Sequence, residues 1–308
     1  MRKSSGSATP PVFLQKRTPP GSENGSRSRP SRFFRKIKWL IPKTAFGDRL
    51  FGHIRFLSNH RRFPTRQLRF NDRIFATTYG DGILRPERAF TSDKYLVKIF
   101  VAGLVGERYA IPTLSVLRTE AEIDGHAFPC PCVVKGTHGS GDCVILRRPS
   151  DLDRTALKKN LRASHYARGR ERNYKYAEHR LIVEPVLFEG NPVDDYKVFC
   201  WKGEPKFIMY VSDRTRNFFR TLYDTNWAVL DHQFRGNDTT NVVPPPANLA
   251  EMLDVSRRLA ALFDLVRIDL YSDGHELYVG EISHVHRSAR ETFDSAADER
   301  GLSALLFS

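Results

Sequence analysis

The chain has 308 residues, 40% of them hydrophobic, with 49 Lys and Arg, 35 Asp and Glu, and four cysteines. That length allows one large domain or two modest ones with a core of their own. No stretch reaches the roughly 18 uninterrupted apolar residues that a membrane span requires. The net charge of +14 is concentrated: residues 1–73 hold 18 basic and 3 acidic groups, the remainder 31 and 32. The body therefore lacks the basic balance of a nucleic-acid-binding domain, and nucleic acid is not an expected partner. Pro, Ser and Arg interrupt every apolar run before residue 36, which argues against a secretion signal and makes a cytoplasmic protein the expectation.

Residues 1–31 are rich in Ser, Pro, Gly and Arg and cannot bury enough apolar surface to offset ordering, so disorder is expected there. The basic, aromatic segment Phe33–Ile41 follows. It suits either an anionic membrane surface, with residues 33–55 as the contact, or packing on the chain's own domain. Thr91-Ser92-Asp93-Lys94 reads as a helix start with Thr91 or Ser92 as cap, the helix running through Leu96, Ile99 and Phe100. Cys132–Lys135 and Val144–Leu146 read as short buried strands around a glycine turn. Ser150-Asp151 is expected to cap a helix over Leu152–His165, and the charged stretch Arg168–Lys175 to form a mobile loop.

Leu181–Glu184 is a further strand. Tyr196–Trp201 and Lys206–Val211 form a hairpin turning at Lys202-Gly203-Glu204. Asn248 is expected to cap a helix to about Phe263, and Val266–Tyr271 and Glu276–Ile282 flank a turn. Interleaved strands and helices indicate an α/β or α+β chain. Cys130, Cys132, Cys143 and Cys200 fit no zinc or redox spacing and are expected to be reduced thiols.

Three constellations carry chemistry. In Val133–Asp142, Lys135 ends a strand and Gly139, Ser140 and Gly141 form a loop. Such glycines let backbone N–H groups approach a phosphate while a lysine supplies charge; a simple glycine turn is the plain alternative. In Arg267-Ile268-Asp269-Leu270-Tyr271, Arg267 and Asp269 share one strand face. Whether Glu281 joins them depends on turn parity. A three-residue loop pairing 267 with 281 keeps Glu281 out of the apolar layer, so that register is expected unless a bulge intervenes. Two carboxylates beside an arginine suit magnesium and a transferring phosphate, or else a surface salt bridge. The third is Leu181–Leu187, an apolar strand ending in Glu184, with Asp195-Tyr196-Lys197 beyond it.

In this order the residues resemble the ATP-grasp ligases, and most closely their TupA-like branch of teichuronopeptide biosynthesis. The likeness rests on Arg69–Ile74, Ser92–Val97, Val133–Gly141, Asp195–Phe199, Arg267–Tyr271 and Gly280–Ile282, and it covers about residues 60–290. It implies an α+β, ATP-grasp fold of two lobes clasping ATP, preceded by a small N-terminal region and a basic tail. The divisions would be a tail over 1–45, an N-terminal region over 46–115, a small lobe over 116–190 and a large lobe over 191–308.

It further implies ATP and Mg2+ as cofactors. Lys94 and Lys135 would contact phosphates beneath a Gly139-Ser140-Gly141 lid. Glu184 and Leu187 would lie at the adenine hinge and Asp195 near the ribose. Asp269, Glu281 and Ser283 would hold the metal, and Arg267 would steady the transferred phosphate. Ser283 stands where related ligases carry Asn, and Ser283–Arg290 replaces a glycine-rich stretch, which puts a second metal and the acceptor in doubt. His284 and His286 are further candidate metal ligands. The implied activity joins a carboxylate and an amine, saccharide-linked, in the cytoplasm or at the inner membrane face. A glycosyltransferase using Asp194-Asp195 and a non-catalytic binding protein are the alternatives.

Overall fold

A computed structural model describes residues 40–139, 141, 143–188, 193–212 and 218–308. The expected disordered tail, residues 33–39 of the aromatic segment, and Ser140 lie outside the described residues. In chain order, helices α1 (Ala45–His60), α2 (Phe70–Tyr79), α3 (Pro86–Ser92) and α4 (Leu96–Leu104) come first. Strand β1 (Ser115–Leu117), helix α5 (Glu120–Gly125), strands β2 (Cys132–Gly136) and β3 (Cys143–Leu146), and helices α6 (Arg154–Arg162) and α7 (His165–Gly169) follow. Then come β4 (Leu181–Pro185), β5 (Asp194–Trp201), β6 (Glu204–Val211), β7 (Arg220–Asp224), α8 (Leu249–Ala260), β8 (Leu265–Ser272), β9 (Leu277–Ser283) and α9 (Ala296–Leu306). The chain is α+β, with two antiparallel sheets. No described helix is long and apolar enough to cross a membrane.

The smaller of two compact units comprises Pro112–Ser164 and Glu178–Leu187. Its sheet has the order β1-β4-β2-β3. Alternation places Cys132, Val134, Val144, Leu146, Leu181 and Val183 on one face, packed with Ile123 of α5 and with Leu157 and Leu161 of α6. The opposite parity carries Val133, Lys135, Ile182 and Glu184.

The larger unit holds the described residues up to Ile111, His165–Ala177 and Phe188–Ser308. Its sheet runs β7-β6-β5-β8-β9. Val198, Ile208, Ile268 and Leu270 pack with Val97 and Val101 of α4 and Met252, Val255 and Leu259 of α8. On the other face Phe199, Phe207, Met209 and Leu265 pack with Phe70 and Ile74 of α2 and Leu302 and Leu306 of α9. The β5–β6 turn at Lys202-Gly203 takes positive φ at both positions, 49° and 85°, as a tight two-residue hairpin requires.

Several local expectations are corrected. Thr91 and Ser92 end α3 rather than starting a helix, and the Asp93 carboxylate accepts from the amides of Tyr95 (2.8 Å) and Leu96 (3.0 Å) at the entry to α4. α6 is capped by Asp153, which accepts from the Ala156 amide, because Pro149–Asp151 closes its own tight turn. Asn248 precedes α8 without a capping bond; its amide donates to the Ser272 hydroxyl at 2.9 Å. Arg168–Lys175 is not an exposed loop. Arg170 is buried on Asp48 at 2.7 Å, and Arg172 donates to the carbonyls of Tyr79 and Gly80. Long-range partners, invisible to local charge patterning, satisfy these guanidiniums.

The β8–β9 register decides the orientation of Glu281. The strands pair Ser272 with Leu277, Tyr271 with Tyr278 and Leu270 with Val279, then shift so that Asp269 opposes Glu281 and Arg267 opposes Ser283. The expected pairing of 267 with 281 is therefore wrong. Gly280 is the extra residue of a bulge, and Val279 and Ile282, three apart, both reach the same apolar layer. Without the bulge, Glu281 would point into that layer. A Cβ at Gly280 would come within 2.4 Å of the Tyr271 ring. Gly280→Ala should therefore cost about 1–3 kcal/mol in a urea unfolding titration; unchanged stability would show that Tyr271 yields freely.

Candidate functional site

The larger sheet gathers its charges on one face of β5, β8 and β9. Lys197 pairs with Asp269 across β5–β8, and Asp269 with Glu281 across β8–β9. The Arg267 guanidinium grips Asp269 with two bonds, Nε to Oδ1 at 2.6 Å and Nη2 to Oδ2 at 2.7 Å. Lys197 donates to Asp269 Oδ2 at 2.7 Å and also to Asp195. Burial would raise the Asp269 pKa, but Arg267 and then Lys197 overcome it and hold the carboxyl well below the usual carboxylate range. Burial likewise opposes the charge on Arg267, yet Asp269 keeps that pKa above its ordinary value.

This face thus carries Asp195, Asp269 and Glu281 against Lys197 and Arg267. One negative charge is left over, as suits a bound cation.

A second layer orients Arg267. Its Nη1 donates to His286 Nδ1 at 2.5 Å, and His286 Nε2–H donates to Glu291 Oε2 at 2.7 Å. Asn71 of α2 fastens Glu291 by two backbone bonds, each of 3.0 Å. Burial, with Arg267 adding to it against the pull of Glu291, lowers the His286 pKa to about 4. His284 is held between Arg88 (2.9 Å) and Thr91 (2.8 Å), and burial and Arg88 push its pKa well down. Both ring nitrogens of each histidine are committed to protein partners, so neither is placed to act as the candidate metal ligand.

Arg287, Ser288 and Ala289 take positive φ in succession, at 46°, 51° and 57°. Such runs store strain and mark functional loops. The turn is tied down by His60, hydrogen-bonded to the Ala289 carbonyl, and by Ser288, which donates to Glu171.

In the smaller unit, Lys135 and Glu184 form an ion pair of 2.6 Å, with both side chains largely buried. β2 and β4 set Val133 opposite Glu184, so Lys135 reaches the carboxylate diagonally. The following loop is anchored rather than free at its start. The Thr137 amide donates to the Arg180 carbonyl, and the His138 ring stacks on His179 at 4.0 Å. Gly141 has φ of 89°, a conformation that needs glycine.

Of the residues singled out from the sequence, Arg267, Asp269, Glu281 and Asp195 meet on one sheet face, and Lys135 meets Glu184. Ser283 shares a strand with Glu281 and lies opposite Arg267. Lys94 occupies the turn between α3 and α4, Leu187 follows β4, and Gly139 is buried in the anchored loop. Asp194 and Asp195, adjacent on β5, face opposite ways and do not form the pair a glycosyltransferase reading requires. Sequence reasoning passed over Lys197 and Glu291 as site residues and offered His286 only as a candidate metal ligand. Alternation from Asp195 points to Lys197; nothing local signals Glu291.

Among the described residues no three or more His, Cys, Asp or Glu converge as a metal-holding group. Magnesium needs no such cage, since one or two carboxylates with phosphate and water oxygens suffice. The cross-strand Asp269 and Glu281 fit that demand.

A family model described as TupA-like ATP-grasp matches residues 80–306. No curated protein matches the chain. Among solved structures, the D-alanine–D-alanine ligase of Helicobacter pylori is 20% identical, with a TM-score of 0.40 over 70% of this chain and 60% of that one. The D-alanine–D-alanine ligase of Bacillus anthracis is 17% identical, with a TM-score of 0.42 over 70% and 65%. The L-amino acid ligase of Bacillus licheniformis is 16% identical, with a TM-score of 0.39 over 76% and 56%. The chain thus spans less than two thirds of the length of each.

His286 makes a pH dependence testable. Below about pH 6.5 the unfolded chain protonates this ring while the folded one, with its pKa near 4, does not. Stability should therefore fall as pH drops from 6.5 to 4, by at most about 1.4 kcal/mol per pH unit. His284 adds to the slope in the same sense. His286→Gln should flatten the curve; a wild type indifferent to pH over this range would contradict the buried, neutral ring.

Proposed function

The chain belongs to the TupA-like ATP-grasp family, and from that premise we propose that it is an ATP- and magnesium-dependent ligase joining a carboxylate to an amine. The observation that carries this reading is the face where Asp269, gripped by Arg267 and Lys197, opposes Glu281. Lys135, Lys94 and the Gly139–Gly141 loop hold the nucleotide phosphates, Glu184 and Leu187 its base, and Asp195 its ribose. Magnesium, held by Asp269 and Glu281 with Ser283 beside them, would neutralise phosphate charge.

The substrate carboxylate attacks the γ-phosphorus and ADP departs. The amine then displaces phosphate from the acyl phosphate and loses a proton. A carboxylate is a poor electrophile until its oxygen becomes such a leaving group. Arg267 and Lys197 stabilise the charge that builds on the transferred phosphoryl group. We assign the acceptor side to the strained turn Arg287–Ala289, and the teichuronopeptide likeness supports a surface polysaccharide or its precursor as the substrate class.

Calorimetry with ATP, with and without magnesium, tests this reading. Lys135→Ala should weaken binding by about tenfold to a hundredfold, that is by one to two steps of 1.4 kcal/mol. Glu281→Gln should remove the magnesium dependence. Because Lys135→Ala leaves the buried Glu184 without its cation, thermal unfolding of the variant is measured alongside to separate folding from binding. Absence of ATP binding in the wild type would end the proposal.

A further inference from the structure

Helix α1 presents an unusual face to solvent. Phe46, Leu50, His53 and Leu57 follow at intervals of four, three and four residues and so line one side of the helix. Phe46 is 75% exposed, Leu50 41% and Leu57 36%, and Leu40 just before the helix is 81% exposed. The side that packs on the protein carries Asp48, Gly52 and Phe56 instead. An apolar stripe this long on an outward face needs an occupant.

The charge around it indicates which. In residues 40–73 the only acids are Asp48 and Asp72. Both are buried, Asp48 against Arg170 and Asp72 against Arg62 at 2.5 Å. Lys43, Arg49, Arg61 and Arg66 are exposed; of these Arg49 is offset by Asp81. At the start of α1 a cavity of about 170 Å³ sets Lys43, Arg168 and Arg170 beside Ile41 and Phe51.

Residues 1–39 add ten basic groups and a single acid, Glu23. They share the sign of the helix surroundings, so charge complementarity does not favour them as the occupant. A second copy of the chain would meet the same repulsion. Acidic lipid answers both the apolar stripe and the surrounding cations.

We propose that α1 docks on an anionic membrane surface, with Phe46, Leu50 and Leu57 entering the interface and Lys43, Arg61 and Arg66 meeting lipid headgroups. The site is independent of the ligase reading and lies outside the carboxylate cluster. It would hold the protein beside membrane-borne substrates without a spanning helix.

The test is co-sedimentation of the full chain with vesicles of phosphatidylcholine, or of equal parts phosphatidylcholine and phosphatidylglycerol. Three proteins are compared: wild type, the triple variant Phe46→Ser, Leu50→Ser, Leu57→Ser, and a variant lacking residues 1–39. Thermal unfolding and light scattering accompany each. Wild type should bind the acidic vesicles alone, and salt should weaken the binding. The triple variant, equally stable, should lose about a hundredfold in partitioning. The shortened chain should keep measurable binding.

Three results would overturn the proposal. Undiminished binding by the triple variant would assign the attachment to the basic tail alone. Failure of wild type to bind acidic vesicles would remove the surface altogether. A wild-type dimer that becomes monomeric in the triple variant would make the stripe a contact between copies.

Discussion

The larger unit is organised around one buried carboxylate. Asp269 is buried on an interior strand of a five-stranded sheet, where an unpaired charge would cost several kcal/mol. Arg267 on its own strand and Lys197 on the next satisfy it. Those two cations in turn constrain their surroundings. Arg267 is fixed by His286, His286 by Glu291, and Glu291 by Asn71 on a helix more than two hundred residues earlier in the chain. An arrangement of this kind contributes little net stability over an apolar core. It does fix one geometry, because removing a member leaves a buried charge or a buried polar group without its partner.

The other half of that geometry depends on a single glycine. Strand alternation alone would send Glu281 into the layer formed with α4 and α8. The bulge at Gly280 reverses the parity of the last part of β9 and sets Glu281 opposite Asp269. Gly280 is available for this because it has no Cβ to strike Tyr271. In the smaller unit no bulge is needed. Val133, Lys135 and Glu184 already share a face, and the ion pair forms across regular β pairing.

Asp48 and Asp72 are spent inside the protein on Arg170 and Arg62. Burying them ties α1 to Arg170 and α2 to Arg62, and it leaves the surface of residues 40–73 without a free carboxylate. One set of contacts therefore both stabilises this region and sets the sign of its outer surface.

The sequence by itself determined the strand order of the chemistry. Alternation located Lys135, Glu184, Arg267 and Asp269 on strands, and it gave the Tyr196–Trp201 hairpin its turn, because a two-residue period and a Lys-Gly turn are local properties. The helix around Leu96 was legible, but its cap was not. Asp93 competes with Thr91 and Ser92 for that role, and the preceding helix, which begins at Pro86, had already claimed the latter two. Arg170 and Arg172 looked like a solvated loop because their partners are Asp48, Tyr79 and Gly80, far away in sequence.

The cost of burying a charge already argued for Glu281 on the Asp269 face; only the tertiary structure decided that a bulge at Gly280, and not a 267–281 register, puts it there, since a bulge leaves no trace in periodicity. Only the tertiary structure showed what the two histidines bond to: His284 takes partners on α3, nearly two hundred residues earlier, and His286 links Arg267 of β8 to Glu291. Local pattern states which face a side chain takes; what that face meets is settled by the packing of the whole chain.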